Sequence, residues 1–244
     1  MTNNILPARL GEFARALIIS GKEKISARAA FASVVLERVF DGVTIVGLLI
    51  VLALQQPFPS WVRHMGILAF GIFFAGFIFL ILLGHKGENW IEKIAGKFSG
   101  GIVGRAAGFM TKFVEGLEML KDKKQIAAVL VLSAIIWSIE VVNYFLVMKS
   151  FGIGLTIGAA AFVLVVANLG IMIPSSPGNV GTMQYFLILG LSVYGIGKSL
   201  SLAYALALHA AMYLSITVIG VFLLSKIGLT LQDIKVRGRN RDEL

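Results

Sequence analysis

The sequence predicts an all-α membrane protein, a polytopic bundle of about six transmembrane helices, and three observations support this. Hydrophobic residues make up 57% and charged residues 14% of the 244 residues, whereas a soluble domain is about 45–50% apolar and about 25% charged. The apolar residues gather in segments near the roughly 20 residues that a spanning helix needs. Basic residues are distributed unevenly between those segments. A soluble enzyme is therefore excluded, and residues 1–244 are predicted to form a single integral membrane domain.

Six apolar segments are predicted to span the membrane after a charged N-terminal segment, residues 1–28. In chain order they are Ala29–Leu54, Gly66–Leu83, Ile126–Met148, Phe151–Ile173, Met183–Gly197 and Ser201–Leu224. The second and fourth contain no charged residue. The fifth is short, and the proline-rich stretch before it is predicted to complete its passage through the bilayer.

The long connection between the second and third spans, residues 84–125, is predicted to be an amphipathic interfacial segment. Its apolar residues recur at helical spacing and charged residues lie between them, a pattern typical of a helix on the membrane surface. The apolar residues are Phe109, Phe113, Leu117 and Leu120, and the charged ones are Lys112, Glu115, Glu118 and Lys121.

The distribution of Lys and Arg predicts the orientation. Eighteen of the 22 lie in the N-terminal segment, the long connection and the charged tail 225–244, and three lie in the remaining loops. Because basic residues concentrate on the cytoplasmic side, both termini are predicted to be cytoplasmic in a plasma membrane, the bacterial inner membrane. The net charge of +9 is accordingly attributed to topology and anionic lipid, and no nucleic acid partner is expected.

Charged side chains interrupt the apolar pattern at three places, and they are the first candidates for a substrate-binding site. The first group shares one face of a helix because its members step by three residues. The three groups are Arg9, Glu12 and Arg15 before the first span, Glu37, Arg38 and Asp41 within it, and Glu140 in the middle of the third.

An unpaired charge at the centre of a spanning helix costs about 2.5–3.5 kcal/mol on insertion scales. These side chains must therefore pair, as Arg38 and Asp41 can at a spacing of three, or line a wet cavity. One interpretation is that they form buried ion pairs that hold helices together, and the other is a polar pathway. The first two groups contain three basic and three acidic residues, a balance that favours a zwitterionic or mixed-charge ligand.

An uncharged break is predicted before the fifth span. Residues 174–181 contain two prolines, two glycines and two serines, a composition that cannot continue a helix. Backbone N–H groups left free at such a break favour a phosphate or carboxylate, although a plain surface loop is the alternative. The expected ligand-facing residues are Pro174, Ser176, Pro177, Gly178, Gly181 and Gln184.

Histidine and cysteine usage disfavours a metal site or another cofactor. The chain has no cysteine, and its three histidines are scattered, so thiolate zinc sites and disulfides are excluded. His209 lies in the sixth span, four residues before Tyr213. It is predicted to make an interhelical hydrogen bond, with proton transfer as the alternative.

Three motifs occur in an order that resembles one family. Residues 7–15 have the pattern P-x-R-x-G-E-x-x-R, residues 37–41 read E-R-x-x-D, and residues 174–181 read P-x-S-P-G-x-x-G. Together they resemble the lysylphosphatidylglycerol synthase transmembrane region family, also called flippase-like domain proteins, over nearly the whole chain. The best-understood members move aminoacylated phospholipid between leaflets, so the resemblance implies a flippase-like role. The soluble aminoacyl-transferring domain of some members has no counterpart here, so synthase activity is not expected.

The sequence departs from the family pattern in two ways. Members usually carry further hydrophobic segments before the first motif, so the resemblance implies that this chain lacks N-terminal spans. Many members also have Glu where this chain has Gln184, and no proton-carrying role is expected there.

The favoured function is lipid handling, by a translocator of phospholipid or of polyprenyl-linked headgroups. No GxxxxGK[ST] phosphate loop is present, so the chain is not expected to use ATP in the manner of P-loop proteins. A membrane-embedded lipid-linked glycosyl transferase is one alternative, with Glu12, Asp41 and Glu140 as base or metal ligands. A non-catalytic assembly subunit with membrane-protein partners is the other. No nucleophile–base pair or aspartate-rich metal motif is readable, which disfavours an enzyme.

Overall fold

The computed structural model describes residues 12, 15–16, 19–20, 25–55, 57–95, 101–172 and 176–227. Among these residues are seven α-helices with defined bounds, further helical residues at 12, 15–16 and 19–20, and no strand, so the prediction of an all-α fold is confirmed. The helices are α1 (Ala27–Ala53), α2 (Ser60–Ala95), α3 (Gly101–Glu115), α4 (Lys123–Ser150), α5 (Ile157–Gly170), α6 (Thr182–Ser192) and α7 (Lys198–Ile227), with 3-10 turns at Glu118–Lys121 and Pro177–Asn179.

Three helices within the described ranges are both long and apolar enough to cross a membrane. They are Ser60–Gly87 of α2, Lys123–Ser150, which is α4, and Lys198–Gly220 of α7. These correspond to the second, third and sixth predicted spans. Helix α1 has 27 residues and carries the three charged residues predicted within the first span. Helices α5 and α6 are apolar but have only 14 and 11 residues.

Local capping explains why α5 is shorter than the apolar run that contains it. Helix α4 ends in a Schellman motif, in which the Ile153 N–H bonds the Met148 carbonyl at 3.0 Å and Gly152 has φ 68°. The chain then continues without helix to Thr156, whose hydroxyl accepts a hydrogen bond from the Ala159 N–H at 3.3 Å. The apolar run from residue 151 therefore becomes helical only at Ile157.

The described residues divide into two compact units, and α4 contributes to both. The first unit comprises the described residues of Ala16–Ser138, and the second comprises those from Ile139 onward with Glu12 and Arg15. The prediction of one integral membrane domain stays a prediction.

The first unit is built around an apolar core shared by α1, α2 and α3. Its buried residues are Ala32, Leu36, Phe40, Leu80, Leu83, Phe113, Val114, Leu117 and Leu120. Lys112 and Glu115 are exposed and pair with each other at 2.8 Å. Of the four apolar residues predicted for the long connection, Phe113, Leu117 and Leu120 lie in this core, whereas Phe109 is exposed.

The second unit contains the rest of α4 with α5, α6 and α7. Helix α5 is its most enclosed element, since 11 of its 14 residues are buried. Helices α5 and α6 pack closely at Gly170, where an added Cβ would overlap the ring of Phe186. Helix α7 joins α4 through the Tyr204 hydroxyl, which donates to the Tyr144 carbonyl at 3.3 Å. A pair of short helices is therefore held among longer apolar ones.

Candidate functional site

Polar side chains of α4 and α5 meet inside the second unit. Glu140 lies one turn before Tyr144 on α4 and hydrogen-bonds Asn143. The Tyr144 hydroxyl hydrogen-bonds the Asn168 side chain of α5, and Asn168 Nδ2 also donates to the Leu164 carbonyl at 2.9 Å. Tyr144 is fully buried and Glu140 is close enough to interact with it electrostatically. A carboxyl, two amides and a phenol therefore lie together between apolar helices.

A second polar contact joins α6 to α7. Gln184 Oε1 accepts a hydrogen bond from the Gly181 N–H at 2.7 Å, and Gln184 Nε2 lies 2.7 Å from His209 Nδ1. Because an amide nitrogen only donates, His209 accepts at Nδ1 and carries its proton on Nε2. The predicted interhelical hydrogen bond of His209 is confirmed. Its partner, Gln184, was predicted to face a ligand.

The break between α5 and α6 is irregular, as predicted. Gly178, Asn179 and Gly181 have φ values of 66°, 58° and 88°, in the left-handed region that favours glycine and admits asparagine. The Ser176 hydroxyl donates to the Val180 carbonyl. Two backbone N–H groups that were predicted to be free at this break have partners. The Gly181 N–H donates to Gln184, and the Asn179 N–H donates to the Ser176 carbonyl at 2.9 Å. A ligand-facing role for the break stays a prediction.

The charged group on α1 belongs to the first unit and forms a compact network. Arg38 Nη2 lies 2.8 Å from Glu37 Oε1 and 3.3 Å from Asp41 Oδ2, which confirms the predicted pairing of Arg38 and Asp41. The indole N–H of Trp137 donates to Asp41 Oδ1 at 3.2 Å. Sequence reasoning missed Trp137, although a donor-only side chain in an apolar span needs an acceptor.

The remaining predicted site residues divide by position. Glu12 is half-buried and Arg15 is exposed, both in helical conformation. Ser176, Pro177, Gly178, Gly181 and Gln184 lie at the break between α5 and α6. Arg9 and Pro174 lie outside the described residues. Within the part of the chain that the structure describes, no group of three or more His, Cys, Asp or Glu side chains could hold a metal ion.

Comparison with known proteins finds a matching family and several similar proteins. The model of the lysylphosphatidylglycerol synthase TM region matches residues 1–220. Glycosyltransferase AglD of Haloferax volcanii is 26% identical over 89% of this chain, which spans only 40% of that relative. A UPF0104 membrane protein of Methanothermobacter thermautotrophicus is 24% identical over 95% of this chain and 73% of the relative.

A UPF0104 membrane protein of Methanocaldococcus jannaschii is also 24% identical, over 91% of this chain and 92% of the relative. No solved structure matches the chain. The family match covers most of the sequence, and the helices described above are long and apolar enough for a bilayer. The chain is therefore a membrane protein that belongs to the lysylphosphatidylglycerol synthase transmembrane region family.

Proposed function

We propose that this protein is a flippase-like translocator, which moves the headgroup of a phospholipid or a polyprenyl-linked lipid across the membrane without an ATPase of its own. The observation that carries the proposal is the interrupted pair of helices α5 and α6, with hydrogen-bonding side chains buried beside it. Family membership is consistent with this role.

The two helices are too short to cross a bilayer alone. With 14 and 11 residues they are about 21 Å and about 16 Å long, against a hydrocarbon core of about 30 Å. If the pair lies in the bilayer, non-helical backbone beside it lies within the hydrocarbon, where it is tolerated only under cover of protein or in a water-filled cavity. Transporters place such interrupted helices around their substrate.

The polar side chains offer a headgroup a sequence of hydrogen-bonding partners. Tyr144 with Asn168 links α4 to α5, and Gln184 with His209 links α6 to α7. The same contacts also tie the helices together, so loss of activity after their removal does not separate a pathway from a structural role. A change confined to the break does separate them, because α5 and α6 remain packed at Gly170 and Phe186.

The test compares two glycine variants in proteoliposomes that carry a fluorescent phospholipid in both leaflets. Gly181 and Gly195 have φ values of 88° and 73°, and an added Cβ would meet nothing within 4 Å at either. Both glycines have positive φ, so valine is strained at each, but only Gly181 lies at the break. We expect the wild-type protein and Gly195→Val to move the lipid, and Gly181→Val to lose most of the flux at normal protein level.

Two outcomes would count against the proposal. Equal flux in Gly181→Val and Gly195→Val would reduce the break to a connector. Absence of flux in the wild-type protein, with a phospholipid and with a polyprenyl-linked lipid, would exclude translocation of both proposed substrates.

A lipid-linked glycosyl transferase is the second candidate, and the name of the relative Glycosyltransferase AglD is the observation that favours it. The chain spans only 40% of that relative, so the named activity need not lie in the shared part. Transfer of a labelled sugar from a lipid-linked donor by the purified protein would support this candidate. Flux without sugar transfer would exclude it.

A further inference from the structure

We propose that Glu140 reversibly binds one proton, and that this binding couples lipid movement to the proton gradient across the membrane. The coupling rests on the proposed function, whereas the proton site rests on geometry alone. The function derived above assigns no driving force, and the resemblance of the motifs assigns no proton to this position.

The first observation is a carboxyl oxygen without a partner. Glu140 lies in the middle third of α4, and its Oε2 atom is buried with no hydrogen-bond partner among the described residues. The same carboxyl is hydrogen-bonded by Asn143. Glu140 as a whole is half-buried, but this oxygen is enclosed, and a charged oxygen enclosed without a hydrogen bond is energetically costly.

The second observation is the character of its surroundings. Tyr144, a neutral phenol, lies close to Glu140, and the Tyr204 hydroxyl of α7 donates to the Tyr144 carbonyl at 3.3 Å. Helix α5 presents the amide Asn168 to the Tyr144 hydroxyl. No ion pair to Glu140 occurs within the described ranges. These neighbours are neutral, so none of them compensates a carboxylate charge.

A proton fits this site better than a metal ion. Carboxylate oxygens bind hard cations in sets of several ligands, and no cluster of His, Cys, Asp or Glu in the described part of the chain could supply one. A single proton converts the carboxylate to a neutral carboxylic acid, which both donates and accepts a hydrogen bond. Release of the proton to water restores the carboxylate, so charge and atoms balance over one cycle.

Protonation of Glu140 also determines whether the polar contacts between α4 and α5 can rearrange. A carboxylate at the centre of a spanning helix is held to a wet or paired position by its cost in hydrocarbon, whereas a neutral acid is not. Proton binding from one side and release to the other would therefore permit the change between two arrangements of the polar contacts on α4 and α5.

The proton is tested first by infrared difference spectroscopy of the protein in lipid nanodiscs. We expect a carbonyl band of a protonated carboxyl at neutral pH that disappears in Glu140→Gln. Glu115→Gln serves as the matched control, because Glu115 is exposed and paired with Lys112, and should leave the band intact. A spectrum in which Glu140→Gln changes no protonated-carboxyl band would overturn the proton site, whether or not the protein moves lipid.

The coupling is tested by lipid flux under an imposed pH gradient. We expect the gradient to accelerate wild-type flux several-fold over the flux at equal pH. Glu140→Gln should lose this acceleration, measured as the ratio of its own flux with and without the gradient, whereas the control Glu115→Gln should keep it. Wild-type flux that ignores the gradient would overturn the coupling and leave translocation standing. Absence of wild-type flux at any pH would overturn the proposed function and the coupling together, and the infrared band would still decide the proton site.

Discussion

At the scale of single residues, two hydrogen-bonded pairs, Tyr144 with Asn168 and Gln184 with His209, join helices of the second unit. Gln184 accepts a hydrogen bond from the N–H of Gly181, the residue before α6, and at the same time bonds His209 of α7. One amide therefore positions both the irregular backbone and the neighbouring helix. Such a side chain is sensitive to substitution, because removing it leaves the buried His209 without this partner and the Gly181 N–H without its cap.

We predict that Gln184→Leu lowers the free energy of unfolding by about 1–3 kcal/mol, since it leaves the buried His209 without its hydrogen-bond partner. Gln184→Glu should cost less, because a carboxylate still accepts from the Gly181 N–H and from His209 in the tautomer that carries its proton on Nδ1. Thermal unfolding in detergent measures both variants. Gln125→Leu is the control, since Gln125 is exposed on α4. Equal stability of Gln184→Leu and Gln125→Leu would show that the contact contributes nothing.

The ion-pair network on α1 predicts that replacing Arg38 destabilises the protein more than replacing Asp41. Arg38 contacts both Glu37 and Asp41, so Asp41→Asn leaves it paired. Arg38→Gln instead leaves two carboxylates four residues apart on one helix face. The side chains of Arg38 and Asp41 are 44% and 21% exposed, so the pair itself is worth about 1 kcal/mol or less. We expect Arg38→Gln to lower the unfolding temperature more than Asp41→Asn does, and the reverse order would contradict this network.

At the scale of helices, composition predicted which segments are helical but not how long each helix is. The second, third and sixth apolar segments became long helices because nothing in them interrupts the backbone ladder. The fourth became the 14-residue α5 because Gly152 ends the preceding helix and Thr156 caps the next. Gly152 and Thr156 are visible in the sequence. Hydropathy alone nevertheless predicts one continuous span from Phe151, because the whole run is apolar. Contacts such as Trp137 with Asp41 join residues 96 positions apart, and local patterns carry no information about such pairs.

The long connection packs closely against α1 at Gly116, where the absence of a side chain permits the contact. A Cβ added at Gly116 would lie 2.6 Å from the Ala29 carbonyl oxygen and 2.8 Å from the Ala32 Cβ. We predict that Gly116→Ala destabilises the protein by about 1–3 kcal/mol through overpacking. Gly108→Ala is the matched control in α3, where a Cβ would meet nothing within 4 Å and alanine favours the helix. Unfolding temperatures that fall for both, or for neither, would contradict this packing.

At the scale of the whole molecule, the described structure establishes a helical membrane protein, and the charge distribution predicts its orientation. Helix α4 is the most useful reporter, because its 28 residues extend about 42 Å and exceed the hydrocarbon core. Its ends must therefore lie on opposite sides of the membrane if the helix crosses it. The basic residues before α4 predict that its first end is cytoplasmic.

We predict that Lys123→Cys reacts with an impermeant maleimide only from the cytoplasmic side and Ser150→Cys only from the outside. Both positions are exposed, and the chain has no cysteine of its own, so each variant carries one reporter thiol. Labelling of intact cells and of inside-out vesicles distinguishes the two sides, and lysed membranes show that each thiol is reactive. Labelling of Lys123→Cys from outside would invert the topology. Labelling of both positions from one side would show that α4 does not cross the bilayer, and the pathway proposed along it would have to be abandoned.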